Sequence, residues 1–172
     1  MLVLPLILII LALLLWLIAR GAHTASGLPA GRVVYSDTGG WGRPERPLFS
    51  ARLQLTGKPD YLVREREATI PVEVKSGRAP AQGPHASHIY QLAAYCALVA
   101  EAYGHRPAYG LIKYADRTFA VDFTPALEAD LLDLLAAIRT DGQAEEVARS
   151  HTSAARCRAC GFRDVCDEKL AE

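Results

Sequence analysis

The chain lacks any net charge, because 19 Lys and Arg residues are balanced by 19 Asp and Glu residues. Nothing in that overall balance points to nucleic acid, so any such contact must come from a local patch. Cysteine is also scarce. The four present, Cys96, Cys157, Cys160 and Cys166, argue against a disulfide framework in a chain read as facing a reducing cytoplasm, and the clustering of the last three points to a metal site. No internal repeat is present. At 172 residues with 51% hydrophobic content, the chain can bury a real core but has no room for a second large domain.

One long segment lacks charge altogether. Leu2 to Ala19 is an unbroken apolar run with only Pro5 unfavourable to a helix, and it is just long enough to span a bilayer. The alternative is a cleavable signal peptide, which normally has a charged leading region and a shorter apolar stretch, and both are missing here. The run therefore predicts a single uncleaved transmembrane helix over residues 1–20. Arg20 and Arg32 follow it while only Met1 precedes it, so the positive-inside rule puts the soluble part in the cytoplasm. Residues 21–47, with Gly39-Gly40 and Arg43-Pro44-Glu45-Arg46-Pro47 as breakers, read as a flexible linker. The folded domain is expected over residues 48–148, followed by a cysteine-rich tail at 149–172.

Within that domain, Leu48 to Thr56 alternates like a strand, Thr56-Gly57-Lys58 turns it into a second strand from Tyr61 to Arg64, and Thr69 to Val74 is a third. Apolar spacing then predicts a helix over Ala86 to Tyr103. Two more strands follow, Ala108 to Tyr114 and Phe119 to Phe123, joined at Asp116-Arg117. Thr124-Pro125 starts a second helix as cap and first helical residue, with an apolar face of Leu127, Leu131, Leu134, Leu135 and Ile138.

Pro59-Asp60 and Glu73-Val74-Lys75 stand at strand ends where side chains can converge. Glu73 and Lys75 are two residues apart and share one face of a strand, with Val74 directed into the core. Two carboxylates held by a sheet suit Mg²⁺ or Mn²⁺, hard cations that keep several waters. Lys75 fits as the group that orients a water and offsets negative charge developing on a phosphate. The bland reading is a solvated Glu-x-Lys pair on an edge strand. On the next helix Gln91 and Tyr95, four apart, share a face and can meet a ligand or a DNA phosphate; the alternative is an ordinary amphipathic helix with one buried tyrosine. His88, one turn before Gln91, can approach the same place.

Taken together, Leu53-Gln-Leu-Thr-Gly-Lys-Pro-Asp-Tyr-Leu-Val63, Pro71-Val-Glu-Val-Lys-Ser-Gly77 and Gln91-Leu-Ala-Ala-Tyr95 resemble the RecB-type nucleases of the CRISPR-associated exonuclease family, within the PD-(D/E)XK superfamily. The resemblance runs from about Leu48 to Cys166. It implies an α/β fold with a restriction-endonuclease-like core and a central mixed sheet, and a metal-dependent nuclease acting on an end of single-stranded DNA. It assigns Asp60, Glu73 and Lys75 to the metal centre and Gln91 and Tyr95 to substrate binding.

Cys157-x2-Cys160-x5-Cys166 also resembles that family, whose clustered cysteines hold a [4Fe-4S] cluster together with one cysteine upstream of the core. Thiolates are the natural ligands of such a cluster. This chain departs from the pattern, since no cysteine precedes Asp60 and the anchor and linker stand where the family's first helix, with its cysteine and a metal-binding histidine, would lie. Cys96 is either the fourth ligand or a small core residue. His151 is a competing ligand that would make a Cys₃His zinc site, and a metal-free tail is the third option. Arg149, Arg156, Arg158, Arg163 and Lys169 could hold a phosphate backbone, or form a solvated mixed-charge surface with Asp164, Asp167 and Glu168. Two functions are therefore expected as rivals: a membrane-tethered nuclease, or a catalytically weakened module of the same fold that binds DNA or a protein partner at the membrane.

Overall fold

Residues 68–74 read Ala-Thr-Ile-Pro-Val-Glu-Val, which as a strand puts Ala68, Ile70, Val72 and Val74 on one face and Thr69, Pro71 and Glu73 on the other, a run suited to the middle of a sheet. The computed structural model, which describes residues 32–34, 41–65 and 67–170, places this run there. The strands are β1 (Arg32–Val34), β2 (Trp41–Gly42), β3 (Leu48–Ser50), β4 (Leu55–Gly57), β5 (Tyr61–Glu65), β6 (Ala68–Val74), β7 (Tyr109–Lys113) and β8 (Thr118–Asp122). Six of them form one sheet in the order β1-β8-β7-β6-β5-β2, and β3 pairs with β4 separately. Every pairing is antiparallel except β6 with β7, so the sheet is mixed. A parallel pair needs a long crossover, and helix α1 (Ala86–Tyr103) supplies it.

Pairing aligns Glu73 with Ile112 and Val72 with Leu111. On one face Ile70, Val72, Leu111 and Ala120 form a buried cluster flanked by Val63, Val74 and Tyr109. Helix α1 covers the other face and buries Ile89, Leu92, Ala93, Cys96 and Val99 at helical spacing; each fully buried Leu contributes roughly 1.5–3 kcal/mol. Contact there is close, for a Cβ on Gly110 would stand 2.7 Å from Leu92. Cys96 is therefore a core residue, and burial pushes its thiol well above the usual range. Helix α2 (Pro125–Asp141) starts as the sequence predicts, with Thr124 Oγ1 accepting the Leu127 N–H at 3.1 Å.

Three expectations are corrected. The strand read over Leu48 to Thr56 is a hairpin, because the Ser50 hydroxyl captures the Leu53 N–H at 2.9 Å and Gln54 turns with φ 43°. The stretch read as linker contributes β1 and β2, the two edges of the main sheet. In α2 only Leu127 and Leu131 are buried, while Leu134 and Ile138 are exposed; the boundary between the two compact units of the chain, Leu132 to Asp133, falls within this helix. The anchor read over residues 1–20 lies outside the described residues. Among the described residues no helix is long and apolar enough to cross a membrane.

Candidate active site

Strands β5 and β6 run antiparallel, so the start of β5 meets the end of β6, and Tyr61 stands opposite Val72. This brings Asp60 to Glu73. The Asp60 Oδ2 accepts the Val74 N–H at 2.8 Å, which ties the loop before β5 to the end of its neighbour. Lys75 follows directly, and its backbone N–H donates to Lys113 at 2.8 Å, prolonging the parallel ladder by one bond.

Glu73 and Lys75 do share a face, as strand geometry requires, and it is the face under α1. Lys75 Nζ donates to Glu73 Oε1 at 2.8 Å and to Gln91 Oε1 at 2.8 Å, and Gln91 Nε2 donates to the Tyr95 hydroxyl at 3.0 Å. One connected line of polar groups thus joins strand to helix. The four-residue spacing of Gln91 and Tyr95 is what lets them meet.

Glu73 is only 6% exposed. Burial raises its pKa, the Lys75 hydrogen bond opposes that rise, and the Asp60 carboxylate adds to it. Tyr95 is likewise raised, first by burial, with Gln91 opposing and the charges of Glu73 and Asp60 adding. These shifts describe two carboxylates crowded together with one ammonium for company. A divalent cation fits such a pair, since it would favour both ionised forms, and a hard ion that retains several waters needs few protein ligands. Among the described residues no group of three His, Cys, Asp or Glu side chains forms a metal-binding set.

Sequence reasoning did not find three neighbours of the site. A Cβ on Gly57 would stand 2.8 Å from the Tyr95 ring, so β4 presses bare backbone against that ring. Tyr114 places its hydroxyl 2.7 Å from His88 Nδ1. Burial lowers the His88 pKa, and the Lys75 and His85 charges add to it. Arg43 donates to the Tyr61 hydroxyl at 3.2 Å. Each depends on a contact across the fold that no local spacing announces.

In the tail, Ser153 caps a short helix α3 (Ala154–Arg158) by accepting the Arg156 N–H. Cys157, Cys160 and Cys166 are all free thiols, and with His151 and Phe162 they line one cavity of about 370 Å³. Backbone N–H groups of Leu170 and Phe162 point at the sulfurs of Cys157 and Cys160, at 3.5 and 3.4 Å. His151 Nδ1 accepts the Ser153 N–H at 3.2 Å.

The family model of the PD-(D/E)XK nuclease superfamily matches residues 10–167. The chain belongs to that superfamily, whose nucleases typically use Mg²⁺ or Mn²⁺. The match begins inside the apolar run and includes the whole stretch read as linker. Among solved structures, that titled "Crystal structure of SSO0001" is similar with 18% identity and a TM-score of 0.47, covering 93% of this chain and 72% of its own. No curated protein matches the chain.

Proposed function

We propose that the chain is a Mg²⁺- or Mn²⁺-dependent deoxyribonuclease that hydrolyses phosphodiester bonds of single-stranded DNA from an end, tethered to a membrane by Leu2 to Ala19. The observation that carries this reading is Lys75 bridging Glu73 and Gln91 at 2.8 Å each beside Asp60. Asp60 and Glu73 would hold the cation, which when bound supplies an activated water and stabilises charge on the phosphate. Lys75, an ammonium with three donors, is fixed by two acceptors and keeps its charge directed at the place where a phosphate oxygen gains negative charge. Gln91 orients Lys75 through its carbonyl and Tyr95 through its amide, and both offer polar groups to the strand. The preference for a single-stranded end rests on the resemblance of the three motifs to RecB-type CRISPR-associated exonucleases.

A second metal in the tail, an iron-sulfur cluster or zinc, rests on the resemblance of Cys157-x2-Cys160-x5-Cys166 alone, since among the described residues these side chains form no metal-binding set.

Purified full-length protein incubated with end-labelled single-stranded DNA and Mn²⁺ should shorten the label stepwise, and Glu73→Ala should not. Equal cleavage by both would sink the site. Binding of the DNA without cleavage by wild type would favour the catalytically weakened module instead.

A further inference from the structure

Strand β2 lies in the stretch that reads as linker, and its pairing with β5 gives it a purpose. Gly42 stands opposite Leu62 and Trp41 opposite Val63, so the next residue, Arg43, reaches the start of β5. Antiparallel pairing of β5 with β6 brings the end of β6 to the same place. Arg43, Asp60 and Lys75 therefore lie in a row at one end of three adjacent strands, β2, β5 and β6. Two strand spacings, roughly 10 Å, separate the outer two.

Arg43 is held there. Its Nη2 donates to the Tyr61 hydroxyl at 3.2 Å and its guanidinium carbon lies 5.3 Å from the Tyr61 ring centroid. The Asp60 carboxylate is close enough to act on it electrostatically. Arg78, Arg106 and Arg117 each pair with a carboxylate, whereas among the described residues Arg43 forms no ion pair. A guanidinium has five N–H donors in a planar fork, and Tyr61 takes one, so an exposed donor edge remains near Asp60, on the sheet face that carries Tyr61 and Val72 rather than the one that carries Glu73 and Lys75.

We propose that Arg43, positioned by Tyr61, is a second phosphate grip, binding a backbone phosphate of the DNA strand on the side of Asp60 opposite Lys75. This rests on the nuclease reading above. The fork can take two oxygens of one phosphate, which an ammonium cannot do. Tyr61→Phe removes the hydroxyl that aims the fork but keeps the ring beneath it, so Tyr61 is a positioning residue.

The test is binding of a fluorescent oligothymidylate by full-length protein in Ca²⁺, measured by anisotropy across a salt series, with cleavage in Mn²⁺ measured in parallel. For single strands each phosphate contact adds about 0.7 to the slope of log affinity against log salt. Arg43→Ala should flatten the slope by about that amount and weaken binding about tenfold, raising KM with kcat little changed. Arg43→Lys should keep the slope and recover only part of the affinity, and Tyr61→Phe should keep the slope with a smaller loss. Arg46→Ala, an equal loss of charge nearby, should leave the slope unchanged. If wild type binds and cleaves but Arg43→Ala keeps its slope, or Arg46→Ala flattens it equally, the grip is overturned and the nuclease reading stands. If wild type neither binds nor cleaves, the nuclease reading fails and takes the grip with it.

Discussion

Between Asp60 and Tyr95 each polar group of the candidate site is bonded to another part of the fold: Asp60 to the Val74 N–H, and Lys75 to both Glu73 and Gln91, which in turn holds Tyr95. Between Arg149 and Leu170 the arrangement is looser, for the thiols of Cys157, Cys160 and Cys166 line a common cavity and two of them receive only backbone N–H groups. The first region is shaped before any metal arrives, because sheet register and one helix face fix it. In the second, metal binding would couple to folding. Preorganisation of this kind is what a hydrolytic centre needs, since groups held in place cost no rearrangement when charge develops.

The sharpest way to break this contrast is at Lys75. Lys75→Ala should lower kcat by about 10²–10³ with a small change in KM, measured on single-stranded DNA under saturating Mn²⁺. A change in KM alone would make Lys75 a structural ion-pair partner. Next comes Gly57, where an added methyl meets Tyr95 and Leu98 at 2.8 and 3.0 Å. Gly57→Ala should destabilise the fold by about 1–3 kcal/mol in thermal unfolding followed by circular dichroism, and Tyr95→Ala in the same chain should relieve much of that cost. The smallest effect is expected in the tail: in metal-free protein Cys160→Ser should change stability by no more than about 0.5 kcal/mol and leave cleavage intact. A loss as large as that of Gly57→Ala would show the tail to be wired as tightly as the centre.

Residues that meet along a single element are legible from their spacing in the sequence. Glu73 and Lys75 share a strand face, Gln91 and Tyr95 share a helix face, and α1 spans Ala86–Tyr103 as its apolar spacing predicts. Thr124 caps α2 for the same reason, since its partner is three residues away. Edge strands β1 and β2 are not legible, because strands of three and two residues carry no periodicity and Gly39-Gly40 and the nearby prolines mask them. The Ser50 turn hides under the alternation of Leu53 and Leu55, and the Ser50 hydroxyl is itself satisfied by Glu101 at 2.7 Å, far along the chain. Tyr114 beside His88, Gly57 beside Tyr95 and Arg43 beside Tyr61 are pairings across elements, which spacing in one segment cannot reveal.

The central claim is that Asp60 and Glu73 form one divalent-metal site that Lys75 serves without being a ligand. Electron paramagnetic resonance of Mn²⁺ titrated into full-length protein tests it most directly. The account predicts one bound ion in wild type, its loss in both Asp60→Ala and Glu73→Ala, and its retention in Lys75→Ala. Undiminished Mn²⁺ binding in the two carboxylate variants, or its loss in Lys75→Ala, would contradict it.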